Sequence, residues 1–209
     1  MILSSMALVA ALVVGADEPK WEQAGKKDGI TVFSRARDGS DVLEMKAIGL
    51  IDGSPQEVFD VLWGWGDYNK VMPYTEESKV LGTENDGKVT LFYSVVNAPL
   101  VAKRDYVIRV TNASDWKDGK GFMKSEWKAI VDPKVPERDG YVRTKINDGW
   151  WLLEPREEGK KTFATYWVYT DPGGSIPKFL VNRANGSAVP DVFAAIRKAV
   201  GEKRTKGTK

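Results

Sequence analysis

The sequence contains no cysteine and no histidine, and these two absences remove more chemistry than any motif in it supplies. Without thiol or imidazole there is no Cys nucleophile, no Ser-His-Asp triad, no thiolate or imidazole metal site and no disulfide framework. Acid and base work would fall to carboxylates, Lys, Tyr, Ser and Arg, which perform it only when burial retunes them. The chain is therefore expected not to be an enzyme, and a metal held by thiolate or imidazole is not expected. An excess of one charge is missing too: Lys+Arg number 31 against 29 Asp+Glu, a net +2. No basic stretch is interleaved with aromatics to follow a phosphate backbone, so nucleic acid is not an expected partner. Repeats, low-complexity linkers and composition breaks are also absent, so the 209 residues read as one domain with one core, expected as a monomer.

A sustained apolar run occurs only at the amino end. MILSSMALVAALVVGA carries no charge from Met1 to Ala16 and then meets Asp17, Glu18 and Pro19. The run is short for a membrane span, and Val14 and Ala16 place small side chains before a cut ahead of Asp17. Residues 1–16 are expected to be a secretory signal, which makes the mature protein periplasmic or secreted. No Lys or Arg opens the segment, which leaves a retained anchor or a misassigned start as alternatives. The folded domain is expected over 17–203, and 204–209 as a disordered basic tail.

Downstream, GITVFSRA and VLEMKAIGLI flank a DGSD turn and predict a hairpin. Ser54 is placed as an N-cap before Pro55, with Val58, Phe59, Leu62 and Trp63 at helical spacing. From Ser78 onward strands alternate with turn signals: KVLG, KVTLFYSVV, RDYVIRV, GFMKSEWKAIV, YVRTKI running into WWLLEP, and KTFATYWVYT. Short connections predict antiparallel pairing. After Pro177, the apolar positions Phe179, Leu180, Ala184, Val189, Val192, Phe193, Ile196 and Val200 follow a 3.6 spacing, with a bend expected at Pro190. The fold class is α+β. A curved antiparallel sheet wrapped on one long helix can enclose an apolar space, although the same elements can also pack solid.

SPQEVFDVL, PLVAKRDYVIRV, DGWWLLEP and DPGGSIPKFLVN occur in an order that resembles the START family of lipid-transfer domains, from about Trp21 to Val200. The C-terminal block, with AVPDVF, is most similar to the phosphatidylcholine-transfer branch. The resemblance implies a helix-grip fold and non-covalent binding and transfer of one lipid, without a cofactor. It implies that Arg104 of the RDY motif faces the cavity and meets a lipid phosphate, and that the loop Asp132 to Gly140 gates the ligand. An ordinary solvated loop remains the other reading of that segment.

A guanidinium fits two phosphate oxygens and keeps its charge when desolvated. The alternative for Arg104 is an internal salt bridge with Asp105 or Glu126. Sterol-binding relatives oppose this arginine with a carboxylate on the preceding strand, and KVTLFYSVV has none. Strand alternation puts Tyr106 and Ile108 on the face of Arg104, with Asp105, Val107 and Arg109 opposite. Trp127, Trp150 and Tyr166, with Trp151 and Trp167, fall on predicted strands as core residues or as a cation-π cage. Phe179 and Phe193 on the last helix complete the candidate lining. Gly173 and Gly174 are expected to reverse the chain through positive φ. Lys178 and Arg183 are placed to make transient contact with a membrane surface, or on a solvated face.

Three functions stand at this point. One is a lipid carrier, in which a phospholipid phosphate meets Arg104. The others are a helix-grip enzyme similar to polyketide cyclases and a lipid sensor.

Overall fold

The computed structural model describes residues 19–99 and 101–207; the expected export signal at 1–16 lies outside them. The chain opens with strands β1 (Glu22–Lys27), β2 (Ile30–Arg37) and β3 (Ser40–Asp52). Helix α1 (Pro55–Leu62), a 3-10 turn at Trp65–Asp67 and the one-turn helix α2 (Tyr68–Val71) follow. Eight strands come next: β4 (Thr75–Glu84), β5 (Val89–Val96), β6 (Arg104–Asn112), β7 (Asp115–Lys117), β8 (Lys120–Ala129), β9 (Val142–Arg143), β10 (Ile146–Arg156) and β11 (Lys161–Asp171). Helix α3 (Lys178–Gly207) closes the chain.

Local chemistry explains these boundaries. Ser54 accepts from the Glu57 backbone N–H while the Glu57 carboxylate accepts from the Ser54 N–H, a capping box that starts α1 with Pro55 in its first turn. The tight hairpin tips take left-handed backbone at Asp28–Gly29, Asp118–Gly119 and Glu157–Glu158–Gly159, the conformation that aligns a short turn with twisted strands. Gly173 and Gly174, at φ +68° and +72°, turn the chain from β11 toward α3.

The strands form one open sheet in the order β1-β2-β3-β11-β10-β8-β6-β5-β4, with β7 paired to β8 and β9 parallel to β6. All the other pairs are antiparallel. The sheet holds α3 on its inner face, and the edges are not joined into a barrel. α3 runs through Pro190 as one helix to Gly207. Residues 204–207 therefore form its last turns where the sequence placed a disordered tail.

The two ends of this wrap differ. At one end α1 and the second half of α3 fill the sheet: Val58, Leu62, Phe193, Ile196 and Val200 pack on Ile51, Leu153, Met123 and Ala164. Gly53 is in contact with Val200, and a β-carbon there would come 2.8 Å from it. At the other end stand the last residues of β5, β8 and β11 and the first of β6 and β10, and there the interior is hollow.

Candidate functional site, an aromatic cavity beside a buried arginine

The hollow is a cavity of about 240 Å³. Tyr106 and Ile108 reach it from β6, Trp127 from β8, Asn147 and Trp151 from β10, and Tyr166, Val168 and Thr170 from β11. Trp65 and Tyr68 close it from the segment after α1, Met72, Pro73 and Thr75 from the entry into β4, and Val192 from α3. Alternation along the strands delivers these side chains to one face. Trp127 packs closely across β10 because residue 149 is glycine: a β-carbon at Gly149 would stand 2.2 Å from the indole.

Of the residues expected at the site, Tyr106, Ile108, Trp127 and Tyr166 line the cavity. Phe193 is fully buried one layer behind, its ring 5.0 Å from that of Trp151. Trp150 and Phe179 are corrections. Trp150 falls out of phase with Asn147, Gly149 and Trp151 and stacks on Trp167 on the outer face of the sheet. Phe179 is 70% exposed in the first turn of α3, beside Leu180 at 43%. The expected gate, 132–140, is also corrected, because none of its residues lines the cavity. Val135 packs with Tyr93, Val95 and Val107 on the outer face, and Arg138 bonds Glu77 and the Tyr93 hydroxyl.

Arg104, expected to face the cavity, is not among its lining residues; it lies two residues before Tyr106 on the same strand face, about 7 Å along it. It is 7% exposed. Nη1 donates to the Ala102 carbonyl, whereas the buried Nε has no acceptor among the described residues. Gly174 stands alongside, where a β-carbon would be 3.8 Å from Nη2. Burial pulls the guanidinium below its ordinary pKa; it remains a cation. Neither salt bridge foreseen for it forms. Asp105 points to the outer face, where Arg143 holds it with two bonds of 2.9 Å and Tyr93 adds a third of 3.2 Å. Glu126 pairs with Lys124.

Burial pushes the phenols of Tyr68, Tyr106 and Tyr166 above their ordinary value, so all three are neutral at physiological pH. The rings pack on one another, with centroids 4.5 Å apart for Trp65–Tyr68 and for Trp151–Tyr166. Trp65, Tyr68, Met72, Pro73, Asn147 and Val192 were not foreseen at the site. Pro73 and Thr75 line the cavity together because Tyr74 between them adopts φ +58° and sits 49% exposed.

An open antiparallel sheet gripping one helix beside an apolar cavity defines a helix-grip ligand-binding domain. A family model, the START domain, matches residues 4–206. The chain belongs to the START family. It is 28% identical over 190 residues to the phosphatidylcholine transfer protein of Mus musculus, covering 90% of this chain and 85% of that protein. It is 31% identical over 205 residues to an uncharacterized protein of Pseudomonas aeruginosa, covering 95% and 97%. Among solved structures, the STAR-related lipid transfer protein from Xanthomonas axonopodis superposes with a TM-score of 0.75 at 28% identity, covering 86% of this chain and 98% of that one.

Proposed function

We propose that the protein is a carrier that binds one lipid non-covalently in this cavity, with the lipid phosphate at Arg104, and moves it between membranes. The observation that carries the proposal is Arg104 itself. Among the described residues the buried Arg104 has no carboxylate partner, which is unfavourable unless an anion meets it; it does not itself line the hollow, but it pairs across the sheet with Val96, which does. The relatives named as lipid transfer proteins support the same reading.

Size constrains how the ligand is held. At roughly 30 Å³ per water- or methylene-sized group, 240 Å³ takes a headgroup or part of one chain. A whole two-chain lipid requires the first half of α3 to lift. Exposed Phe179 and Leu180, with Lys178 and Arg183 in the same helical segment, suit contact with a membrane surface during that exchange. Catalysis is not part of the proposal: the titratable groups lining the cavity are neutral phenols, which are poor bases. Export to the periplasm or medium belongs to the proposal through the character of residues 1–16.

The test is extraction of the protein purified from its native host, with mass spectrometry of the bound lipid beside an Arg104→Leu variant. A phospholipid present in the wild type and lost in the variant is the expected result. Sterol or neutral lipid in both would make Arg104 structural, and no lipid in either would move the function to the enzyme or sensor readings.

A further inference from the structure

We propose that the ligand is held tail-in and head-out: a single-chain amphiphile whose apolar chain fills the aromatic cavity while its anionic group meets Arg104 Nη2 at the end of the sheet, with the rest of its headgroup in a second, polar hollow outside. The inference rests on the carrier reading and names the class of ligand and its orientation.

The three nitrogens of Arg104 are the first ground. Nη1 is taken by the Ala102 carbonyl, and Nε is sealed inside the protein. Nη2 is neither bonded to a described residue nor sealed. Its neighbour is Gly174, where a β-carbon would stand 3.8 Å away, and Gly174 is exposed. The open end of the guanidinium therefore looks toward the surface turn at Gly173–Gly174. An anion reaches it from that side, where it gains a charge-assisted hydrogen bond, rather than through the aromatic wall.

The second ground is a hollow of about 450 Å³ on that side, which Val142, Gly173 and Gly174 line together with Glu137, Lys145 and Asp171. A wall one residue thick separates it from the cavity: Thr170 lines the cavity and Asp171 the outer hollow, Asn147 the cavity and Ile146 the outer hollow. Arg104 stands in the same wall, paired with Val96 of the cavity on one side and with Val142 of the outer hollow on the other. The carboxylates of the outer hollow are already matched, Glu137 by Lys145 at 3.7 Å and Asp171 by Lys178 at 2.8 Å. Arg143 is matched by Asp105. The charge left uncompensated is that of Arg104, and it calls for one anion, as a phosphodiester provides. The cavity supplies the opposite chemistry. Every residue lining it is uncharged, so a headgroup buried there would lose its water to neutral side chains alone. At roughly 30 Å³ per methylene, its 240 Å³ holds about eight carbons of one chain.

The test titrates the protein with dodecyl phosphocholine, with dodecyl phosphoethanolamine carrying a nitrobenzoxadiazole on its amine, and with dodecanol, each below the concentration at which it self-associates. The head-labelled probe is expected to bind as tightly as dodecyl phosphocholine, and dithionite should reduce its label on the protein as fast as in free solution. Dodecanol, which lacks the anion, should bind about tenfold more weakly. Arg104→Leu should bring dodecyl phosphocholine down to the level of dodecanol and leave dodecanol unchanged. Gly174→Asn is the second variant: asparagine tolerates the positive φ, and its amide oxygen beside Nη2 should weaken dodecyl phosphocholine alone. The inference is overturned if the head-labelled probe is excluded or its bound label is shielded from dithionite. It is equally overturned if Arg104→Leu still prefers dodecyl phosphocholine to dodecanol, or if folded Gly174→Asn binds as the wild type. Single-chain probes that fail where a two-chain phospholipid binds would sink the inference and leave the carrier reading standing; failure of both kinds of lipid would sink the carrier reading itself.

Discussion

The two halves of α3 meet the same sheet on different terms. From Phe193 onward the helix presents Phe193, Ile196 and Val200, all buried to 1% exposure or less, to a packed core closed by α1. Before Pro190 it leaves Phe179 and Leu180 exposed, buries only Val181 against Val42 and Tyr169 and Val189 in the main core, and is otherwise tied down by polar contacts. Lys178 bonds Asp171, Asn182 bonds the backbone of Asp41 and Leu43, and Asn185 bonds the Thr170 carbonyl. Polar ties across a wet surface are worth little each and are easily exchanged for water, whereas interlocked apolar packing is lost only as a unit. One end is built to hold and the other to open, and the cavity lies between them.

The largest effect that would break this contrast is at the packed end. Phe193→Ala should destabilise the protein by about 3–5 kcal/mol, while Phe179→Ala on the same helix should stay within about 0.5 kcal/mol; denaturant titration of the two variants checks the pair. Comparable losses would mean that both halves of α3 are structural.

The two buried arginines near the open end should separate next. Arg143→Leu strands Asp105, which is fully buried, and should remove about 3 kcal/mol. Arg104→Leu removes a buried cation that has no carboxylate partner among the described residues and bonds only the Ala102 carbonyl, and should leave thermal stability equal or higher. A large loss from Arg104→Leu would place it in the scaffold. Gly149→Ala follows, at about 1–3 kcal/mol, because the new β-carbon would stand 2.2 Å from the Trp127 ring and 2.7 Å from the Trp167 carbonyl oxygen; a changed tryptophan emission spectrum reports it.

The smallest effect is electrostatic. Burial pushes the Asp171 carboxyl up, but bonds from Lys178 and the Gly173 N–H outweigh it and hold the pKa below its ordinary value of 3.8. A carboxylate lowered on folding stabilises above its unfolded pKa, and that contribution is lost as pH falls through the lower folded value. Cleavage by pepsin near residues 178–188 should therefore rise below about pH 4, before the core unfolds. Simultaneous loss of both halves would remove the distinction between them.

Most strands and the long helix were legible because their apolar periods are strong. The polar β1, EQAGKK, was not, since it is an edge strand held by its pairing with β2 rather than by burial. Tyr106 and Ile108 on β6 followed from alternation, and Trp127 and Tyr166 were named only as aromatic residues on predicted strands. Trp150 failed because adjacent tryptophans cannot share a face, and the sequence does not say which of Trp150 and Trp151 points inward; Gly149 beside Trp127 fixes that phase. Asn147 was invisible because its importance comes from bonds to Trp127 and Thr170, 20 and 23 residues away. Trp65 and Tyr68 sit in a glycine-rich turn that carries no apolar period.

The order of strands in the sheet has a consequence in time. β11 is the last strand made, yet it lies in the middle, between β3 and β10. Its Thr162 bonds the Gly53 carbonyl across 109 residues of chain. Until residue 171 is available, the β1–β3 hairpins and the β4–β10 strands are two separate ribbons with open edges, and neither has a cavity. Closure waits on a long loop, which makes folding slow and leaves edges exposed to other chains meanwhile. A chain drawn unfolded through a membrane would complete its sheet only after nearly all of it had crossed.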